Sequence, residues 1–144
     1  MTDAFLFKPN NIDLFCPWTN EYLFDYIYAL GYTDKDLSNS KIKTEVLFVL
    51  KMLLSYQVIN IYDWGEDSPL STTNITPDET ISEIDRIWFD AATYEDFFKM
   101  VMFGTPDWYT HKLKEMGMTE TTNWQTFVNN NIDDLKKWLE ENQP

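Results

Sequence analysis

The spacing of apolar positions along the chain is mostly helical. Tyr22, Leu23, Tyr26, Ile27 and Leu30 recur at intervals of three and four, after Thr19-Asn20-Glu21 and before Gly31. That pattern predicts a helix closed by a residue that adopts positive φ cheaply. From Lys41 to Ile61 the stripe Ile42, Val46, Val49, Leu50, Leu53, Leu54 and Val58 is widened by Leu47, Phe48 and Met52. An element apolar on nearly all sides is expected to be the central, most buried helix. Residues 63–75, DWGEDSPLSTTNI, read as a long loop. Thr76-Pro77-Asp78-Glu79 then starts a helix carrying Ile81, Ile84, Ile87 and Trp88, because threonine caps an orphan amide, proline fits the first turn and glutamate returns the bond. Thr93 with Asp96 begins another through Phe97, Met100 and Val101 as far as Gly104, and Thr105-Pro106-Asp107 begins a short one ended by Gly117. Thr122-Asn123-Trp124-Gln125 reads as a capping box for a terminal helix with Phe127, Val128, Ile132, Leu135, Trp138 and Leu139 on one face. No stretch alternates cleanly with period two, although Ala4-Phe5-Leu6-Phe7 could pass for a short strand. The expectation is an all-α fold, residues 1–144 forming a single domain of about six helices around the 41–61 helix.

Composition narrows the function. A chain of 144 residues with 44% apolar and 17% aromatic content has enough to bury for a core without disulfide or metal. The longest apolar run, 46–54, is broken by Lys51 and falls short of the ~20 residues of a membrane span. The N-terminal stretch lacks a basic region and is interrupted by Lys8, Pro9 and Asp13, so a signal peptide is not expected and a cytoplasmic location is. Eleven basic against twenty-four acidic residues, net −13, argue against a nucleic-acid-binding role. One cysteine, Cys16, and one histidine, His111, exclude zinc ligand sets built on cysteine or on two histidines.

The acids are not evenly distributed. Residues 63–98 hold ten acids against Arg86 alone, net −9, whereas 41–62 is net +2. Asp78, Glu79, Glu95 and Asp96 fall in first turns of predicted helices, where a carboxylate is favoured by the helix dipole. Asp63, Glu66, Asp67, Glu83, Asp85 and Asp90 have no such local reason. Trp64, set among acids in a predicted loop, has two readings: an aromatic of the type that anchors protein interfaces, or a loop tryptophan folded back onto the core.

Catalytic signals are thin. Asp107, His111 and Glu115 share one helix face at spacing four, an arrangement that arises readily because each pair adds only ~0.2–0.5 kcal/mol. Cys16 stands between Phe15 and Pro17, a setting for burial rather than nucleophilic attack. Glycine-rich phosphate loops and nucleophile elbows are absent from the sequence. No catalytic, cofactor or metal residues are therefore assigned.

A short, strongly acidic chain, rich in aromatics and without catalytic signature, resembles the immunity proteins of bacterial toxin systems. The DWGED loop and the acidic stretch 77–98 carry that resemblance. It implies stoichiometric binding that neutralises a cognate, basic toxin domain by occluding its active site or a nearby surface. Asp63, Trp64, Glu66, Asp67, Glu83, Asp90, Tyr94 and Glu95 form the expected docking set. The alternatives are an acidic regulatory protein, a nucleic-acid mimic whose carboxylates stand in for phosphates, and an enzyme using carboxylates with a metal.

Overall fold

A computed structural model describes residues 3–66 and 68–141. The protein is mostly helical, with one small two-stranded sheet among the described residues. The α-helices are α1 (Leu23–Ala29), α2 (Ser40–Ser55), α3 (Pro77–Ile87), α4 (Tyr94–Phe97), α5 (Asp107–Glu115) and α6 (Trp124–Glu141). Short 3-10 segments occupy Asp3–Phe7, Pro9–Phe15 and Asp34–Asp36, so the Phe5-Leu6-Phe7 stretch is helical rather than extended.

Where the stop and start signals are local, the chain obeys them. Gly31 takes φ +92° after α1, with Tyr32 N–H donating to Ile27 and Gly31 N–H to Tyr28. Gly117 does the same for α5 at φ +108°, through Met118 to Leu113 and Gly117 to Lys114. This paired-bond ending needs one left-handed residue, which glycine supplies without steric strain. At α3 the Thr76 hydroxyl accepts from Glu79 N–H at 3.1 Å, and the Glu79 carboxylate accepts from Thr76 N–H at 3.3 Å.

The predicted 41–61 helix is shorter than its apolar pattern. It ends at Ser55, where Gln57 adopts φ +61°, Gln57 N–H donates to Leu54 and Val58 N–H to Leu53. The same ending is used as at Gly31, but with a glutamine in the left-handed position. Beyond it, Asn60–Asp63 forms strand β1, paired antiparallel with β2 (Met102–Gly104). Residues 102–104 are therefore strand rather than the end of a helix begun at Thr93. Gly104 is a strand residue, and a Cβ there would lie 2.7 Å from Asn60 Oδ1. The register pairs Asn60 with Gly104, Ile61 with Phe103 and Asp63 with Met102, which leaves Tyr62 as the extra residue of a bulge. On its other side β2 meets the entry to α1, through a bridge to Tyr22 and a 2.7 Å bond from Phe103 N–H to the Glu21 carbonyl. The cap of α6 also differs from its pattern. Asn123 Oδ1 accepts from Thr126 N–H at 3.0 Å, while Thr122 Oγ1 accepts from Thr119 N–H and Gln125 donates to Asp13.

The buried apolar side chains form one cluster drawing on every α-helix and both strands. From α2 it takes Ile42, Val46, Val49, Leu50 and Leu53. Lys43 clamps α2 to α3, donating to the Trp88 carbonyl at 2.7 Å and the Asp85 carbonyl at 3.1 Å and pairing with the Asp85 carboxylate at 3.0 Å. The 9–15 segment is tied down by two aromatic donors, one buried and one partly buried. Tyr109 Oη donates to Phe15 O at 2.6 Å and Trp124 Nε1 to Ile12 O at 3.0 Å. No helix among the described residues is long and apolar enough to cross a membrane.

Candidate interaction surface

The acidic loop after β1 is a packed element. Trp64 is only 3% exposed and donates its indole N–H to the Ser71 carbonyl at 2.9 Å, closing the loop on itself. Of the two readings of Trp64, burial favours the one folded onto the core and corrects its place in the docking set: a ring with one polar edge satisfies that edge on a loop carbonyl and sinks the rest into the core. Asp63 is exposed, and its carboxylate accepts from Gly65 N–H at 2.6 Å. Glu66 is exposed, and its N–H donates to Lys99 O at 3.0 Å. Asp67 lies outside the described residues.

Several other acids are engaged within the protein. Glu83 is 8% exposed, and its carboxylate accepts from Arg86 Nε and from Ser68 Oγ. Those bonds hold its pKa below the ordinary glutamate value, the Arg86 bond contributing most. Glu83 therefore pins the loop to α3 and is removed from the docking set, since its oxygens are already satisfied. Asp85 pairs with Lys43 and Asp78 with Lys51. Asp96 accepts from the N–H and hydroxyl of Thr93, bonds that lower its pKa. Among the described residues, Glu66, Asp90 and Glu95 are the exposed acids of the 63–98 stretch whose side chains have neither a cationic nor a capping partner.

The aromatic residues tell a different story on the surface shared by α1 and α4. Phe24, 6% exposed, is the floor of a cluster. Tyr94 stacks obliquely on it at a centroid distance of 4.6 Å, and Phe98 meets it edge-on at 5.2 Å. Tyr94 and Phe98 touch each other at 5.0 Å, and Tyr22 closes the group at 4.9 Å from Phe98. Despite these contacts Tyr94 remains 44% and Phe98 46% exposed. Side chains held by a buried neighbour, yet open to water on their outer faces, lose little rotamer freedom when a partner covers them. The capping carboxylate of Asp25, accepting from the backbone N–H groups of Glu21 and Tyr22 at 2.9 Å each, fixes the approach of this segment. Glu95 adjoins the cluster along the chain and Glu21 precedes it, both exposed.

Of the expected docking residues, Tyr94 and Glu95 thus share α4, Asp90 is exposed on the turn before it, and Asp63, Trp64 and Glu66 belong to a separate loop. Phe98 is not among the expected docking residues; it follows Phe97 directly at the C-terminal end of α4. Phe97 is fully buried, and its neighbour is left outside.

The remaining chemistry-bearing groups are dispersed. His111 is exposed and lies 3.4 Å from Glu115. The Cys16 thiol is half-buried, and desolvation raises its pKa, which keeps it protonated and poorly nucleophilic. Among the described residues no three His, Cys, Asp or Glu side chains come together in a way that could hold a metal ion. Comparison with protein-family models, curated proteins and solved structures finds no match for this chain.

Proposed function

We propose that this protein acts by stoichiometric binding to a basic protein, in the manner of a toxin-neutralising immunity protein, and that the α1–α4 aromatic surface is its principal contact. The observation that carries the reading is the placement of Tyr94 and Phe98, each nearly half exposed, on the buried ring of Phe24. Partly exposed aromatics braced from below are the residue type and setting of interface hot spots. A net charge of −13 selects for a basic partner and accelerates its approach. The proposal includes a cytoplasmic location. It also includes a single domain organised on α2, an assignment supported by the five buried apolar residues of that helix and its lysine links to Asp85 and Asp78. Nucleic-acid mimicry is less well supported, because Asp78, Asp85 and Glu83 are neutralised internally and leave no unbroken row of free carboxylates along α3.

The test is a comparison of the parent with Tyr94→Ala/Phe98→Ala as immobilised bait in extracts of the source cell. A captured basic protein is then expressed alone and with each bait, and its toxicity scored. The parent is expected to bind and protect, and the double variant to lose at least about thirtyfold in affinity, the equivalent of one hot spot. An acidic or non-toxic partner, or equal protection by both baits, overturns the proposal.

A further inference from the structure

A second feature adjoins the aromatic surface and is built differently. An open groove of about 470 Å³ runs across β2, with Trp18 and Tyr62 among its walls and Met102 and Gly104 in its lining. Trp18 and Tyr62 are the two most exposed large apolar side chains described, at 60% and 71%. Both stand on unusual backbone. Trp18 has φ +66°, a left-handed conformation that a bulky side chain adopts only at some energetic expense, and its N–H is held by Thr105 Oγ1 at 3.0 Å. Tyr62 is the extra residue of the β1 bulge, a device that re-aims a side chain out of the regular alternation. Gly104 lies beneath Asn60, and its missing Cβ lets the Asn60 amide oxygen approach.

Glu21 is the one charged side chain among the residues that line the groove. The lining comes from three stretches, 9–34, 52–85 and 100–111, and none of them contains a lysine or arginine. The nearest base along the chain to β2 is Lys99, whose carbonyl is bonded to Glu66 on the acidic loop. Glu21 lies in the lining, is exposed and has no cationic partner among the described residues, and Asn60, also in the lining, carries an amide oxygen. The groove is continuous with the α1–α4 surface, because Glu21 lines it while Tyr22 bridges to Met102 and packs on Phe98.

We propose that this groove is a receptor for an arginine side chain of the basic partner. A guanidinium is planar and weakly hydrated, so it stacks on aromatic faces and donates in its own plane, which suits walls of Trp18 and Tyr62 with Glu21 and Asn60 as acceptors. The inference rests on the partner's being a basic protein, and its test is independent of finding that partner.

Hexa-arginine, hexa-lysine and hexa-citrulline peptides are titrated into the isotopically labelled protein at ~150 mM salt, where interactions beyond about 8 Å are screened. Hexa-arginine is expected to move the Trp18 indole and Tyr62 ring signals first, hexa-lysine more weakly, and hexa-citrulline not at all. Trp18→Ala and Tyr62→Ala should each weaken hexa-arginine binding about threefold to thirtyfold, the range for a cation on an aromatic ring. Glu21→Gln should weaken it about twofold to fivefold, and Glu120→Gln, the same charge change at an exposed position on the α5–α6 connection, should leave it unaltered. Both aromatics are exposed, and an unchanged melting temperature verifies that their variants are folded. Shifts spread over the acidic surface without preference for Trp18 and Tyr62, equal affinity for hexa-lysine, or full binding by the alanine variants overturns the assignment. If hexa-arginine behaves as expected while Tyr94→Ala/Phe98→Ala still protects against the partner, the reading of the α1–α4 face fails and the groove stands.

Discussion

Replacing Trp64 by alanine separates a structural role from a binding one. The indole is 3% exposed and its N–H is used by Ser71 O, so truncation leaves a large cavity beneath the acidic loop and opens the bond that closes it. Tryptophan-to-alanine changes at buried sites lose about 3–5 kcal/mol, and the freed carbonyl adds little because Ser71 is exposed and water replaces the donor. Against a total stability of about 5–15 kcal/mol this is a major fraction. With a urea m-value near 2 kcal/mol/M, the unfolding midpoint should fall by about 1.5–2.5 M. Trp64→Phe retains much of the ring and forfeits the hydrogen bond, so it should lose about 1–2 kcal/mol and remain folded. That second variant carries the functional half of the test: its dissociation from a partner, followed by surface plasmon resonance, should match the parent. An alanine variant that loses under 1 kcal/mol, or a folded phenylalanine variant that releases the partner as fast as Tyr94→Ala/Phe98→Ala, would refute the reasoning.

Three further substitutions probe two glycine turns and the anchor of the acidic loop on α3. At Gly65, φ is +78° and an added Cβ would sit 2.2 Å from Lys99 O, so Gly65→Ala should lose more than about 2 kcal/mol in thermal unfolding. Gly31→Ala, at φ +92° with nothing near the added carbon, should lose only about 1–2 kcal/mol. Glu83 titrates below its ordinary 4.5 in the folded protein, so its contribution is present above about pH 4.5 and fades as pH falls through the lowered value. The melting temperature of Glu83→Gln should therefore trail the parent at pH 6, and the gap should close on acidification below the ordinary glutamate range.

What the sequence reveals and what it conceals divide along the range of the interactions involved. Thr76-Pro77-Asp78-Glu79 and the glycines at 31 and 117 act on their own turn, and the structure uses each as its residue type implies. Gln57 ends α2 by the same bonds, but glutamine carries no preference for positive φ, so nothing in the sequence marks the stop. The β1–β2 pair is invisible for another reason. Its strands are four and three residues long, and each gains its hydrogen bonds from a segment remote in the chain. The apolar residues of 58–61 fit either a helix or a short buried strand, and only that remote pairing decides. Half of the proposed surface is concealed in the same way: Tyr94 and Glu95 are legible as an aromatic and an acid on one turn, whereas Trp18 stands on a left-handed backbone and Tyr62 on a bulge.

The internal pairing of the acids also changes what charge can contribute to binding. Asp78, Asp85 and Glu83 each face a nearby cation, so close to the surface their fields are largely cancelled. At a distance the proposed partner would respond to the sum, and the sum remains −13 however the ions pair. In the proposed complex, long-range attraction is therefore a property of the whole chain, weakened by salt, and it would favour a basic partner without orienting it. Orientation has to come from short-range features that are few and fixed. The braced rings of Tyr94 and Phe98 and the groove lined by Trp18 and Tyr62 meet that requirement, because their geometry is set by Phe24, by the Asp25 cap and by the β-bulge. In the proposed complex the acids accordingly govern how fast the partner arrives, and the aromatics how it docks and how long it stays.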